Sequence, residues 1–144
     1  PKVGIIVGIM ILILFIFIGI IFDMIGVAVT SSNEEPLHAM SSKKIKGSRE
    51  GVYLVKNSST ISSICNDVIG DICGIVSGSV AAMLSILVSN KTNFSLVIVT
   101  LLISSLVSSL TVGGKAIGKK FAIRNSDNII FMVAKVMYKF KFKK

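Results

Sequence analysis

Residues 3–22 read VGIIVGIMILILFIFIGIIF, twenty positions without a charged side chain. As an α-helix this run is about 30 Å long, the thickness of the hydrocarbon core of a bilayer. A helix also satisfies every backbone N–H and C=O internally, which lipid requires. Two more apolar stretches follow, near 64–88 and 94–112. The sequence therefore predicts an all-α, integral membrane protein with three transmembrane helices, over about 3–29, 64–88 and 94–112. A cleavable signal peptide does not fit, because the first run is too long and no small-residue cleavage site is placed after it. The start at Pro1 suggests that upstream residues were removed.

Charge gives the orientation. The chain has 144 residues, 16 Lys and Arg against 7 Asp and Glu, and a formal charge of +9. Lys43, Lys44, Lys46, Arg49 and Lys56 lie in 31–62, and most of the remaining cations lie in 113–144. Only Lys2 and Lys91 fall at the opposite ends of the spans. Positive charge collects on the cytoplasmic side, so 31–62 and 113–144 are expected inside. Cations that flank spans, with no nucleic-acid module, argue against nucleic acid as a partner. The lysine- and isoleucine-rich composition suggests a bacterial source, and hence the bacterial cell (inner) membrane.

The connecting segments have their own signals. In 30–62, Glu34 and Glu35 before Pro36 mark a helix start. Leu37, Met40 and Ile45 form one apolar stripe, Gly47 breaks the run, and Ser48 is placed to cap a second short helix carrying Val52, Leu54 and Val55. A cytoplasmic helical hairpin is expected, with an unstructured loop as the alternative. Ser59 or Thr60 is expected to cap the second span. In that span Gly70, Gly74, Gly78 and Ala82 recur every four residues, a ladder that lets another helix approach closely in lipid. Ser105 and Ser109 give the third span a similar small face, and Gly113, Gly114 and Gly118 are expected to loosen its exit. From 126 to 144, Lys135, Lys139 and Lys143 recur amid Phe131, Val133, Met137 and Phe140. That pattern suits an amphipathic interfacial helix with lysines at lipid headgroups.

Little in the chain suggests catalysis. The single histidine, His38, has no cysteine or metal-ligand partner at a recognisable spacing, and no enzyme is expected. Cys65 and Cys73 are too far apart on one helix for a disulfide. The sharp feature is acid near the membrane: Asp67 and Asp71 on one face of the second span, and Asp23 at matching depth in the first. Buried ionisable groups in membranes line cavities or pair, and oxygen ligands suit magnesium. A cation site of Asp71, Asp23 and Asp67 is one expectation. Pairing of these acids with Lys or Ser is the other.

Over residues 15–140 the order of parts resembles the membrane domain of the cyclin-M and CorB/CorC family of magnesium transporters. Asp23-Met24-Ile25-Gly26-Val27-Ala28-Val29-Thr30 stands where that family ends its first span in a Ser-x-Ser-Glu-x-Ala-like stretch. Lys43 to Gly47 and Val52 to Asn57 resemble its basic hairpin, Gly70-Asp71-Ile72 its Gly-Asn-Asn motif, and Gly114 to Lys119 its Gly-Glu-x-x-Pro-Lys motif. The resemblance implies a three-span homodimer that handles a divalent cation such as Mg2+. The ligand positions depart from the family: Ile25 replaces a serine, Asp71 and Ile72 replace asparagines, Lys115 replaces the glutamate, and Gly118 the proline. A lysine where a carboxylate should hold a dication reverses the local field. Two functions follow as expectations: a divalent-cation transporter-like protein with a degenerate site, or a non-transporting membrane interaction or regulatory subunit on the same fold. The partners would be the bilayer, a second copy, and another membrane protein.

Overall fold

A computed structural model describes residues 2–141. The chain runs through α1 (Lys2–Ser31), α2 (Glu34–Ser42), α3 (Ser48–Lys56) and α4 (Ser58–Ser63). It continues through a π-helical segment (Ile64–Ile69) directly into α5 (Gly70–Thr92), then α6 (Leu96–Arg124) and α7 (Ser126–Lys141). There is no strand among the described residues. Three helical stretches, Gly4–Ser31, Ser58–Thr92 and Leu96–Arg124, are long and apolar enough to cross a membrane. They are compatible with a multi-pass membrane protein. Their outer faces carry the side chains that lipid would solvate, such as Met10, Phe17, Ile75, Leu102 and Leu106.

The three long helices pack through glycines on α1 and α6. Between α1 and the second long helical stretch (Ser58–Thr92) the contacts run Gly8 to Leu84, Gly19 to Cys73 and Gly26 to Asn66. The rising number on one helix meets the falling number on the other, so the two are antiparallel. Each glycine leaves room that a methyl group would fill: a Cβ on Gly8 would sit 2.8 Å from the Leu84 side chain, and one on Gly19 3.2 Å from Cys73 Cβ. Close backbone approach of this kind drives association where hydrophobicity cannot. On α6, Gly114 meets Ile20 and Gly118 meets Ile20 and Met24, so α6 runs parallel to α1.

These contacts explain one departure from expectation. Gly113, Gly114 and Gly118 do not loosen the end of the third span; α6 continues as one helix to Arg124. A glycine inside a helix costs roughly 0.5–1 kcal/mol, and for Gly114 and Gly118 that cost is offset by seating Ile20 and Met24 of α1. The second span also begins earlier than expected. Asn57, not Ser59 or Thr60, is its N-cap, and the helix is unbroken from Ser58.

At the other end of the bundle the short helices close a second core. Ala28 and Val29 of α1, Leu37 of α2, Leu54 and Val55 of α3, Ala122 of α6, and Ile130 and Ala134 of α7 are buried together. Segment 30–62 carries the short helices α2, α3 and the start of α4, with Leu37 inward and Ile45 left exposed. The α2–α3 turn is held by backbone hydrogen bonds, Lys44 N–H to Ser41 O at 3.0 Å and Ile45 N–H to Met40 O at 3.1 Å. Ser48 does not cap α3. Its hydroxyl donates to Ile45 O at 2.6 Å, and Gly47 is the N-cap. Gly47 has φ +90°, and a Cβ there would lie 3.2 Å from the Lys135 backbone, so only glycine suits both the turn and its seat on α7. The start of α7 is stitched to the end of α1: Ser32 Oγ donates to Asp127 Oδ1 at 2.7 Å, and Ser126 Oγ to Ser31 O at 3.3 Å. Both lysine-rich segments thus meet at one end of the bundle, while the α5–α6 turn with Lys91 lies at the other.

Candidate functional site

Asp23 is the buried acid of the bundle. It lies on the face of α1 turned toward α6 and retains only 3% of its exposure. Lys115 and Lys119 stand four apart on α6 and therefore on one face. Their Nζ atoms lie 3.9 and 3.8 Å from Asp23 Oδ1. Both distances exceed a hydrogen bond, so the attraction is coulombic. Lys115 is the more enclosed, with its side chain 27% exposed against 51% for Lys119. Asp23 Oδ2 is buried and has no hydrogen-bond partner.

The second span contributes an unusual turn at the same level. Gly70 N–H donates to Cys65 O, five residues back, which is the π-helical bond. The buried positions Cys65 and Gly70 accordingly stand five apart, where an α-helix would use three or four. Single π turns inside α-helices occur often at functional sites. Asn66, within this turn, fills the space above Gly26 and donates from Nδ2 to Ser62 Oγ at 3.1 Å. Its Oδ1 is a second buried acceptor without a partner. Gly70 leaves open the place beside Lys115 Nζ, which lies 3.6 Å from where its Cβ would be. Two ammonium groups from α6 thus stand at the Asp23 carboxylate, and the Asn66 amide of the second span lies against Gly26, one turn further along α1.

In comparisons with known proteins, no family model matches the chain. None of the curated protein sequences matches it either. The meaning of the site rests on its own chemistry.

That chemistry differs from a cluster of acids. Asp67 and Asp71 are exposed on the outer surface of the second span, while Asp23 is buried with the lysines. Among the described residues no group of three or more His, Cys, Asp or Glu is placed to hold a metal ion. The positive charge that a carboxylate needs in a low-dielectric interior comes here from the chain itself.

The remaining candidates divide in two. In the glycine ladder Gly70 is buried, but Gly74, Gly78 and Ala82 are exposed, and nothing lies within 4 Å of a Cβ placed on Gly74 or Gly78. The face of α5 that packs inside the bundle is the neighbouring one, Cys73, Ser77, Ala81 and Leu84. Ser105 and Ser109 are exposed, with Ser109 Oγ donating to Ser105 O on its own helix at 2.7 Å. Lys135 and Lys139 are exposed on α7, Lys135 Nζ standing 5.4 Å from the Phe131 ring centre. Lys143 lies outside the described residues. His38 Nε2 lies 3.3 Å from Glu34 Oε2, one turn away on α2. Sequence reasoning missed three members of the site: Asn66, Lys115 as a partner of Asp23, and Lys119. The legible signal was the i, i+4 lysine pair on a helix facing a span that carries a lone aspartate.

Proposed function

We propose that this is a non-transporting membrane interaction or regulatory subunit, built on a three-span bundle whose cation position is filled by its own lysines. The observation that carries this reading is the approach of Lys115 and Lys119 to Asp23 Oδ1. In the resembled magnesium transporters the position of Lys115 holds a glutamate. Exchanging that carboxylate for an ammonium does two things at once: it removes a ligand and supplies a tethered cation. A dication entering beside two ammonium groups would meet repulsion from both.

In this reading the basic end faces the cytoplasm of a bacterial cell, the α2–α3 hairpin lies on that side, and α7 lies along the inner leaflet with Lys135, Lys139 and Lys143 at headgroups. The outer face of α5 receives a second copy of the chain or another membrane protein. Two features support that. Gly74 and Gly78 offer open backbone for close helix approach, and Asp67 and Asp71 would be costly to leave against lipid.

A second reading, a carrier of a divalent cation such as Mg2+, is favoured by the two buried acceptors without partners, Asp23 Oδ2 and Asn66 Oδ1. Flux separates the two. Proteoliposomes containing the purified chain are loaded with a magnesium, manganese or cobalt indicator. The interaction reading expects no flux above empty vesicles, and loss of self-association on Gly74→Leu with the fold intact. Cation flux that Asp23→Asn abolishes would establish the carrier in its place.

A further inference from the structure

A second site lies at the basic end and shares no residue with the Asp23 site. The α2–α3 turn and the far part of α7 enclose an open cleft of about 1050 Å3. Its walls include Lys44, Lys46 and Arg49 from the turn and the start of α3, Tyr53 from α3, and Met137 and Tyr138 from α7. A volume of this order holds a small organic ligand. Three cations line the cleft against one carboxylate, Glu50. Lys44, Lys46 and Arg49 are exposed, and none has an ion pair with a carboxylate among the described residues. Three cations on one concave surface give it a positive potential that favours an anion.

The cleft has fixed walls. Gly47 is pressed against the Lys135 backbone, so the turn cannot slide along α7. Lys44 is held in the left-handed region at φ 54°, a conformation costly for a side-chain-bearing residue, which places it on the turn beside Lys46. The first turn of α3 opens here without a side-chain cap; Ser48 and Gly51 N–H donate to Ile45 and Gly47 O, and the dipole of the helix adds to the positive field against Glu50 in the same turn. Arginine offers two parallel donors to a phosphate, and lysine a point charge. Tyrosine and methionine supply an apolar wall with a polar edge.

We infer that this cleft binds a phosphate ester, with the phosphate between Lys44, Lys46 and Arg49 and the remainder of the ligand against Tyr53 and Met137. Two sources carry that chemistry: the headgroup of an anionic phospholipid and a soluble phosphate compound. The inference does not depend on what the Asp23 site does.

The chain contains two tyrosines and no tryptophan, and both tyrosines line this cleft, so its intrinsic fluorescence reports on the site without a label. The purified full chain in neutral detergent micelles is titrated separately with inorganic pyrophosphate and with dioctanoyl phosphatidic acid. Calorimetry is run in parallel, with dioctanoyl phosphatidylcholine and sodium chloride of matched ionic strength as controls. A saturable response to a phosphate probe, weakened roughly tenfold or more in Lys46→Ser/Arg49→Ser, is the expected result. Circular dichroism checks the fold of the variant, and both residues are exposed. Response to phosphatidic acid alone assigns a lipid headgroup, response to pyrophosphate alone a soluble ligand, and response to both the phosphate itself. No binding by either method, binding that sodium chloride reproduces, or binding unchanged in the double variant overturns the proposal.

Discussion

Replacing both Lys115 and Lys119 by methionine keeps the length of each side chain and strips Asp23 of its counter-charges. The ammonium groups lie 3.9 and 3.8 Å from Asp23 Oδ1, and at an effective dielectric of about 20 each attraction is about 4 kcal/mol. The sum is not the loss, because the two lysines repel each other and Lys119, half exposed, is screened by its surroundings. What remains is a carboxylate with 3% exposure and no cation, and stranding such a charge costs about 3–5 kcal/mol. Lys115→Met alone should cost more than Lys119→Met alone, since Lys115 is the more enclosed. Adding Asp23→Asn to the double variant removes the stranded charge and should restore at least half of the loss. Unfolding in mixed SDS and dodecyl maltoside micelles, followed by circular dichroism, gives all five stabilities. If the double variant unfolds with the parent protein, or if Asp23→Asn deepens its loss, the ion pair is not what holds α6 to α1 at this level.

Other substitutions test the packing around it. Gly26→Ala drives a methyl group into the Asn66 side chain and should destabilise by roughly 1–3 kcal/mol; pairing it with Asn66→Ala should recover part of that in a double-mutant cycle under the same unfolding assay. Lys44→Gly relieves the left-handed backbone at φ 54° and should stabilise by about 0.5–1 kcal/mol, while Gly47→Ala, at φ 90° against Lys135, should destabilise by about 1–3 kcal/mol; chemical unfolding midpoints report both signs. Ile130→Ala empties a fully buried position in the core at the basic end and should cost about 2–5 kcal/mol, measurable as faster proteolysis of the α2–α3 turn.

The spans are legible because long apolar runs have few other structural uses, and the start of α2 because Glu34, Glu35 and Pro36 mark a helix start without reference to the rest of the fold. The packing faces were less readable. Gly70, Gly74, Gly78 and Ala82 keep perfect four-residue spacing, yet within the bundle the stripe one position over is buried. Only one helix of a pair has to yield space, and α1 does so with Gly8, Gly19 and Gly26, which accept Leu84, Cys73 and Asn66. The π turn left no mark in composition: it follows from the five-residue step between two buried positions, a property of tertiary packing. With the third span ending near Val112, the sequence marks Lys115 only as a lysine at a ligand position and Lys119 as flanking charge, and shows neither facing Asp23. Once α6 is continuous to Arg124, the same lysines face Asp23 from inside the bundle. Asp127 escaped notice because its role depends on Ser32 and Asn33, ninety-five and ninety-four positions away.

The continuity of α6 has a mechanical consequence. Twenty-nine residues form one rod, about 44 Å long, and a single residue, Asn125, joins it to α7. The near end of α7 is pinned to the close of α1 through Ser126 and Asp127, while its far end carries Met137 and Tyr138. Rod and pin join the two regions: α6 carries Lys115 and Lys119 to Asp23 and leads through Asn125 directly into the helix that walls the cleft. Tyr138 emission in Lys115→Met, compared with the parent protein, should therefore register the loss of a pair buried inside the bundle.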